Sequence, residues 1–233
     1  MAGIHNMLLG VGSQFESGGT IISTVDMVDP FGDGSGTELW KFDGNGNGAS
    51  NSYNLTPINI TYSEGIFGQS SVFNGSAYFN LPPLPEAVEN ITISFWVYFN
   101  DNNERMIFDT GVWGLGKGIG IYKNTSNKLV IVFKKSSTLY FSRIVNQPLN
   151  LNAFAHIVIV KTTTGLFVYY DNVLVDTYIH NTIISTIEGQ TGCMGRQYNY
   201  PYYHKGKIDQ FRIFNRALTA GEVGVLYTET IAA

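Results

Sequence analysis

With 233 residues, 44% of them hydrophobic and only 14% charged, the chain is long enough to bury a full apolar core and too apolar for a disordered polymer. A formal net charge of −4 excludes broad nucleic-acid binding, which needs a basic face to displace counterions. The single cysteine, Cys193, excludes an intrachain disulfide and favours assembly in a reducing cytosol.

At the N-terminus, Met1–Gly10 has no basic region and its apolar run is short, so no signal peptide is expected. No stretch approaches the roughly 18 apolar residues of a membrane-spanning helix. Residues 1–36 are rich in Gly and Ser, and Asp29-Pro30-Phe31-Gly32-Asp33-Gly34 reads as consecutive turns. They are expected to form an extended arm or linker, either docking on a neighbouring subunit or serving as a tail, with a short strand over Thr20–Val25. Residues 37–233 form the domain proper. The triplets starting at Asn54, Asn74, Asn90 and Asn124 match glycosylation sites, as chance allows in a chain rich in Asn and Thr.

From Glu38 onward strand follows strand. Ile91, Ile93, Phe95, Val97 and Phe99 alternate with Thr92, Ser94, Trp96 and Tyr98, the period of a half-buried strand. Further strands are predicted at Ser71–Phe73, Tyr78–Leu81, Met106–Asp109, Gly118–Tyr122, Lys128–Phe133, Leu139–Arg143 and Ala155–Lys161. Leu166–Tyr170 and Val173–Thr177 flank Asp171-Asn172, a two-residue hairpin turn. Lys207–Phe214 is the last strong strand. Thr219 and Glu222 form a capping box, and Val223, Leu226 and Tyr227 then share a helical face. The pattern predicts an all-β, two-sheet antiparallel β-sandwich (jelly roll) with one short C-terminal helix and an N-terminal extended arm.

Several segments, in order, resemble one family. Leu39-Trp40-Lys41-Phe42-Asp43-Gly44-Asn45 is similar to the opening strand of laminin-G-like domains of the concanavalin A-like lectin/glucanase superfamily. Gly65–Gly75 (GIFGQSSVFNG), Ile91–Tyr98, Phe154–Val158, Leu166–Val175, Gly206–Leu218 (GKIDQFRIFNRAL) and Thr219–Tyr227 resemble its later signatures. The resemblance implies a concanavalin A-like sandwich. Arg212 and Arg216, near Asp209, are expected to pin the last strand by charge-assisted hydrogen bonds.

Relatives often bind calcium at the edge that includes residues 43–50. Here the second acid of that loop is replaced by Gly48, although calcium takes six or more oxygens, usually with several carboxylates. Asp43, Asn45, Asn47 and Asp209 remain as candidate ligands for a possible calcium, and no cofactor is required. The alternative is an Asn/Gly turn in which Asp43 caps local N–H groups.

No catalytic constellation is found, and the chain is expected not to be an enzyme. Glycosidases on this broad fold need a carboxylate pair. Glu86 and Glu89 sit in a Pro-rich loop, Glu188 is isolated, Glu222 caps the helix, and Asp101 and Asp109 are single acids near strand ends. His5, His156, His180 and His204 show no metal-ligand spacing, and His156 is expected to pack with its ring hydrogen-bonded. Cys193 reads as a buried thiol. Gly111–Gly120 has glycines and a lysine but not the order of a phosphate-binding loop.

Two aromatic segments stand out as partner or glycan contacts. One is Tyr198, Tyr200, Tyr202 and Tyr203 in a predicted loop, the other Trp113 in a glycine-rich loop. Sugar sites use flat rings, and tyrosine also anchors protein interfaces. The chain also resembles tailed-phage virion proteins that carry laminin-G-like modules. That resemblance implies a non-catalytic virion structural protein, a capsid decoration (cement) or tail component. Such a protein would be assembled in the host cytoplasm, self-associate as a trimer or dimer, and attach to a shell or tail protein. The alternative is a lectin-like module recognising host surface glycans. A glycoside hydrolase is a third reading. No membrane partner is expected.

Overall fold

The computed structural model describes residues 13–15, 21–84, 90–136, 138–179 and 191–229. In chain order the strands are β1 (Ser13–Phe15), β2 (Ile21–Ser23), β3 (Gly36–Trp40), β4 (Thr56–Ile58), β5 (Thr61–Glu64), β6 (Gln69–Asn74), β7 (Tyr78–Leu81), β8 (Ile91–Phe99) and β9 (Arg105–Asp109). There follow β10 (Gly118–Lys123), β11 (Lys128–Lys134), β12 (Tyr140–Pro148), β13 (Phe154–Lys161), β14 (Gly165–Tyr170), β15 (Val173–Ile179), β16 (Gly192–Met194), β17 (Lys205–Phe214) and one helix, α1 (Ala220–Tyr227).

β1 and β2 pair with each other. The rest form two antiparallel sheets. One runs β12-β11-β10-β9-β16-β7-β4, and the other runs β15-β14-β13-β8-β17-β6-β5 with β3 also paired to β17. The expected sandwich is therefore the observed one. Both positions of the β14–β15 turn have positive φ, Asp171 at 48° and Asn172 at 65°, which suits the right-handed twist of a two-residue hairpin.

The core lies between the sheets and follows from alternation. Ile91, Ile93, Phe95, Val97 and Phe99 of β8 point into it, as do Ile119 and Ile121 of β10, and Leu129, Ile131 and Phe133 of β11. Phe211 is central, with its ring 5.2 Å from Phe95, 5.0 Å from Phe108 and 5.8 Å from Trp40. Truncating rings buried like these typically costs about 3–5 kcal/mol. The open sides of the two sheets are clasped where β12 meets β15: Arg143 grips Asp176 through two bonds of 2.7 and 2.5 Å.

The outer face of the β8-containing sheet is covered. Val223 and Leu226 of α1 pack on Val158, Val160, Tyr169 and Phe214. Thr219 and Glu222 form the capping box expected from the sequence. Of the segment expected as an arm, residues 25–36 lie on this same face. Phe31 packs against Phe214 at 5.7 Å, Asp33 pairs with Arg216 at 2.7 Å, and Gly36 lies in register with Phe214. Residues 1–12 and 16–20 lie outside the described residues.

Arg212 and Arg216 make the expected charge-assisted hydrogen bonds, with partners other than Asp209. Arg212 donates to Glu229 at 2.6 Å and to the Val25 carbonyl at 3.1 Å, and Arg216 pairs with Glu222 and Asp33. A bulge intervenes: Gln210 has φ 47°, and the register to β8 shifts between Asp209 and Arg212. The shift turns Asp209 toward residues 66–67, whose N–H groups it accepts at 2.7 and 3.2 Å.

Candidate functional site

The outer face of the other sheet carries the candidate site, partly covered by the loop after β9. Alternation in β10 to β12 turns Tyr122, Val130, Val132, Lys134, Tyr140, Ser142 and Ile144 outward, because their neighbours Ile121, Ile131, Phe133 and Phe141 fill the core. Across the strands, Gly120 pairs with Val132, and Val132 with Ser142. Gly120 has no side chain for a reason: a Cβ there would stand 2.4 Å from the Trp113 ring. The loop after β9 therefore packs Trp113 against the strand, with its ring 5.7 Å from Tyr122 and nearly perpendicular to it.

The result is an open recess of about 230 Å³ lined by Val112, Trp113, Tyr122, Val132, Lys134, Tyr140 and Ser142. Of its lining, Tyr140 is the most open, at 61% exposed. Burial raises the Tyr122 phenol, and the charge of Glu104 raises it further. None of the lining side chains is an acid. A larger recess of about 360 Å³ lies by the β14–β15 turn, lined by Gln147, Leu149, Tyr170, Asp171, Val173 and Val175 among others. Its one aromatic ring, Tyr170, is buried, so it offers a ligand no flat face.

Asp109 holds the site together. It is fully buried at the end of β9. One carboxylate oxygen accepts the N–H groups of Gly111 and Val112, each at 2.8 Å, and the other accepts the Tyr198 N–H at 2.8 Å. Burial pushes its carboxyl up, and these three donors pull it back toward the charged form. Through Asp109 the Trp113 loop and the Tyr198 loop become neighbours. They are in close contact: a Cβ on Gly114 would stand 2.5 Å from the Tyr198 ring.

The five expected contact residues therefore divide. Trp113 lies in the recess, and Tyr198 stands beside its loop. Tyr200 and Tyr202 are exposed, at 46% and 49%. Tyr203 turns to Tyr78, 6.1 Å away, and its carbonyl accepts from Arg105. Tyr122, Lys134, Tyr140 and Ser142 were not anticipated. The signal was present, since outward positions of β10 to β12 can be read from period two, but it marks a face and not a function.

The candidate calcium ligands are placed as follows. Asp43 and Asp209 flank the 65–69 loop: Asp43 accepts the Gln69 N–H at 2.7 Å, and Asp209 the N–H groups of Ile66 and Phe67. Burial raises the Asp209 carboxyl to about 7, with Asp43 adding to the shift, and one of its oxygens has no hydrogen-bond partner. Asn45 accepts the Asn47 N–H at 2.8 Å and donates to the Asp43 carbonyl, so it serves its own turn. At Gly48 a Cβ would fall 2.1 Å from the Glu38 carboxylate, so no acid fits there beside Glu38. Glu38 anchors the loop instead by accepting Leu39 N–H and both donors of Ser50. The set is poor in carboxylates for calcium: it has two, and among the described residues no cluster of three or more His, Cys, Asp or Glu could hold a metal ion.

The remaining candidates are structural. His156 is buried, its Nε2 is 2.9 Å from Ser94 Oγ, and its ring lies 4.9 Å from Trp96. Cys193 is buried, which raises its thiol. His5, His180, Glu86, Glu89 and Glu188 fall outside the described residues.

Solved structures share this architecture. Domain 4 of AbnA, a GH43 extracellular arabinanase from Geobacillus stearothermophilus solved with arabinotriose, superposes with a TM-score of 0.66 at 17% identity, over 83% of this chain and 98% of that one. The binding domain of Paraclostridial Mosquitocidal Protein 1 gives 0.67 at 18% identity, over 82% of this chain and 51% of that one. The binding domain of Botulinum Neurotoxin DC, solved with SialylT, gives 0.63 at 16% identity, over 84% and 51%. The chain spans about half the length of these two toxin domains. No curated protein sequence matches the chain. The family model described as the concanavalin A-like lectin/glucanases superfamily matches residues 73–224, from β6 into α1 and so through both sheets; the chain belongs to that superfamily.

Proposed function

We propose that the chain is a non-catalytic binding module that takes a glycan on the outer face of its β10–β12 sheet. One observation carries this reading: Trp113, Tyr122 and Tyr140 line one open recess with the hydroxyl of Ser142 beside them. Flat aromatic faces suit the C–H side of a sugar ring, and hydroxyls suit its oxygens. The recess is smaller than the roughly 300–1,000 Å³ typical of pockets that engulf a small molecule. It therefore suits one ring or the end of a chain. The arabinotriose and SialylT bound to structural neighbours are consistent with a sugar ligand. With no acid in the lining, binding without hydrolysis is the chemistry available. The calcium candidates lie in loops anchored without metal, so binding is proposed to be independent of calcium.

The virion attachment reading draws on the resemblance to tailed-phage virion proteins and on residues 1–36 as the attachment arm. Residues 25–36 are engaged with the sandwich itself, which leaves the recess as the better-supported contact surface.

A glycan array followed by calorimetry tests the proposal. Trp113→Ala is expected to weaken the best ligand at least tenfold while the thermal midpoint stays within a few degrees. An array without a hit, or a Trp113→Ala protein that binds as the wild type does, would overturn it.

A further inference from the structure

We infer that the recess selects an acidic glycan, with the Lys134 ammonium meeting a sugar carboxylate; this rests on the glycan reading above. The lining contains three aromatic residues, one hydroxyl residue, two valines and one charged side chain, Lys134. Lys134 stands at the end of β11, level with Gly118 on one side and Tyr140 on the other. Gly118 has no side chain and packs against Thr110, so it offers the ammonium no partner. Among the described residues no carboxylate pairs with Lys134.

The acids nearby do not counter this. Asp109 is buried and engaged by three N–H groups. Glu104 acts on the Tyr122 phenol, whereas Lys134 is level with Gly118, at the opposite end of β10 from Tyr122. A neutral sugar would offer Lys134 only hydroxyl oxygens, without an opposing charge. A carboxylate would meet both a cation and, beside it, the ring of Tyr140. Lysine suits this role as a point charge that follows a carboxylate without demanding a two-pronged geometry.

Matched probes test the inference. Trigalacturonate is compared with its methyl ester, and 3′-sialyllactose with lactose, by calorimetry at low salt. One acidic probe is expected to bind at least tenfold more tightly than its neutral counterpart. In Lys134→Met that ratio should collapse toward one, and Lys134→Arg should restore most of it. Equal or tighter binding of the neutral partner, or an acid-to-neutral ratio unmoved in Lys134→Met, overturns the acidic selectivity and leaves the glycan site standing. A wild-type protein that binds none of the four probes, nor any sugar on the array, overturns both.

Discussion

His204 is the residue whose surroundings set the sharpest expectation. It is fully buried between Phe73 and Phe99, each 5.1 Å away edge to face. Its nitrogens lie near the backbone of Tyr98 and Lys207 without a hydrogen bond of normal geometry. Burial lowers its pKa from 6.5 to about 3. Between those values the unfolded chain holds a proton that the folded chain refuses, so stability is fully present above pH 6.5 and falls as pH falls through the window. His156, lowered to about 3 by burial and the charge of Arg212, acts the same way. Asp209, raised to about 7, acts oppositely, since the folded state holds its proton between about pH 4 and 7. In His204→Phe the acid-side slope of stability should be shallower than in wild type by about 1.4 kcal/mol per pH unit between pH 6 and 4. Urea midpoints across that range check it, and an unchanged slope would refute the assignment. Nothing in the sequence marks His204: it ends a tyrosine-rich loop, and only the fold shows that the chain there turns into the core.

At the scale of elements, the site depends on two loops sharing one carboxylate. Asp109→Asn should separate them. Its remaining oxygen can serve Gly111 and Val112, while its amide nitrogen faces the Tyr198 N–H, donor against donor. A buried donor left without an acceptor costs about 1–3 kcal/mol. Faster hydrogen exchange is therefore expected over 196–203, with glycan binding weakened several-fold and exchange in β10 and β11 unchanged. Equal exchange in both proteins would show that Asp109 does not brace the loops. Strands such as Ile91–Phe99 were legible because alternation is local and every second residue reports on burial. Asp109 was legible only as an acid at a strand end, because its partner Tyr198 lies 89 residues away. The tyrosine cluster misled for a related reason. Four tyrosines in one loop suggest one patch, but the turn at 196–203 sends Tyr203 to Tyr78 and leaves Tyr200 and Tyr202 exposed.

For the whole molecule, the sandwich and its helix could be read from ordered signatures, and the site only in part. Trp113 was legible as an aromatic in a glycine-rich loop. Tyr122, Tyr140 and Lys134 were not, because they converge only when three strands align. At the calcium candidates, the Glu38 carboxylate occupies the space that an acid at position 48 would need. Melting curves in calcium and in chelator should therefore coincide within about one degree, and a rise of several degrees with calcium would restore the metal reading. The clasp made by Arg212 bears on display. It ties the Val25 carbonyl and the Glu229 carboxylate to one guanidinium on the helix-covered side, while the aromatic recess opens on the other sheet. Residues 25 and 229 thus meet at a single mooring, with the proposed sugar face on the other sheet. Anchored to a support on the helix-covered side, the module would hold that face outward, and many copies on one support could engage a polymeric glycan together.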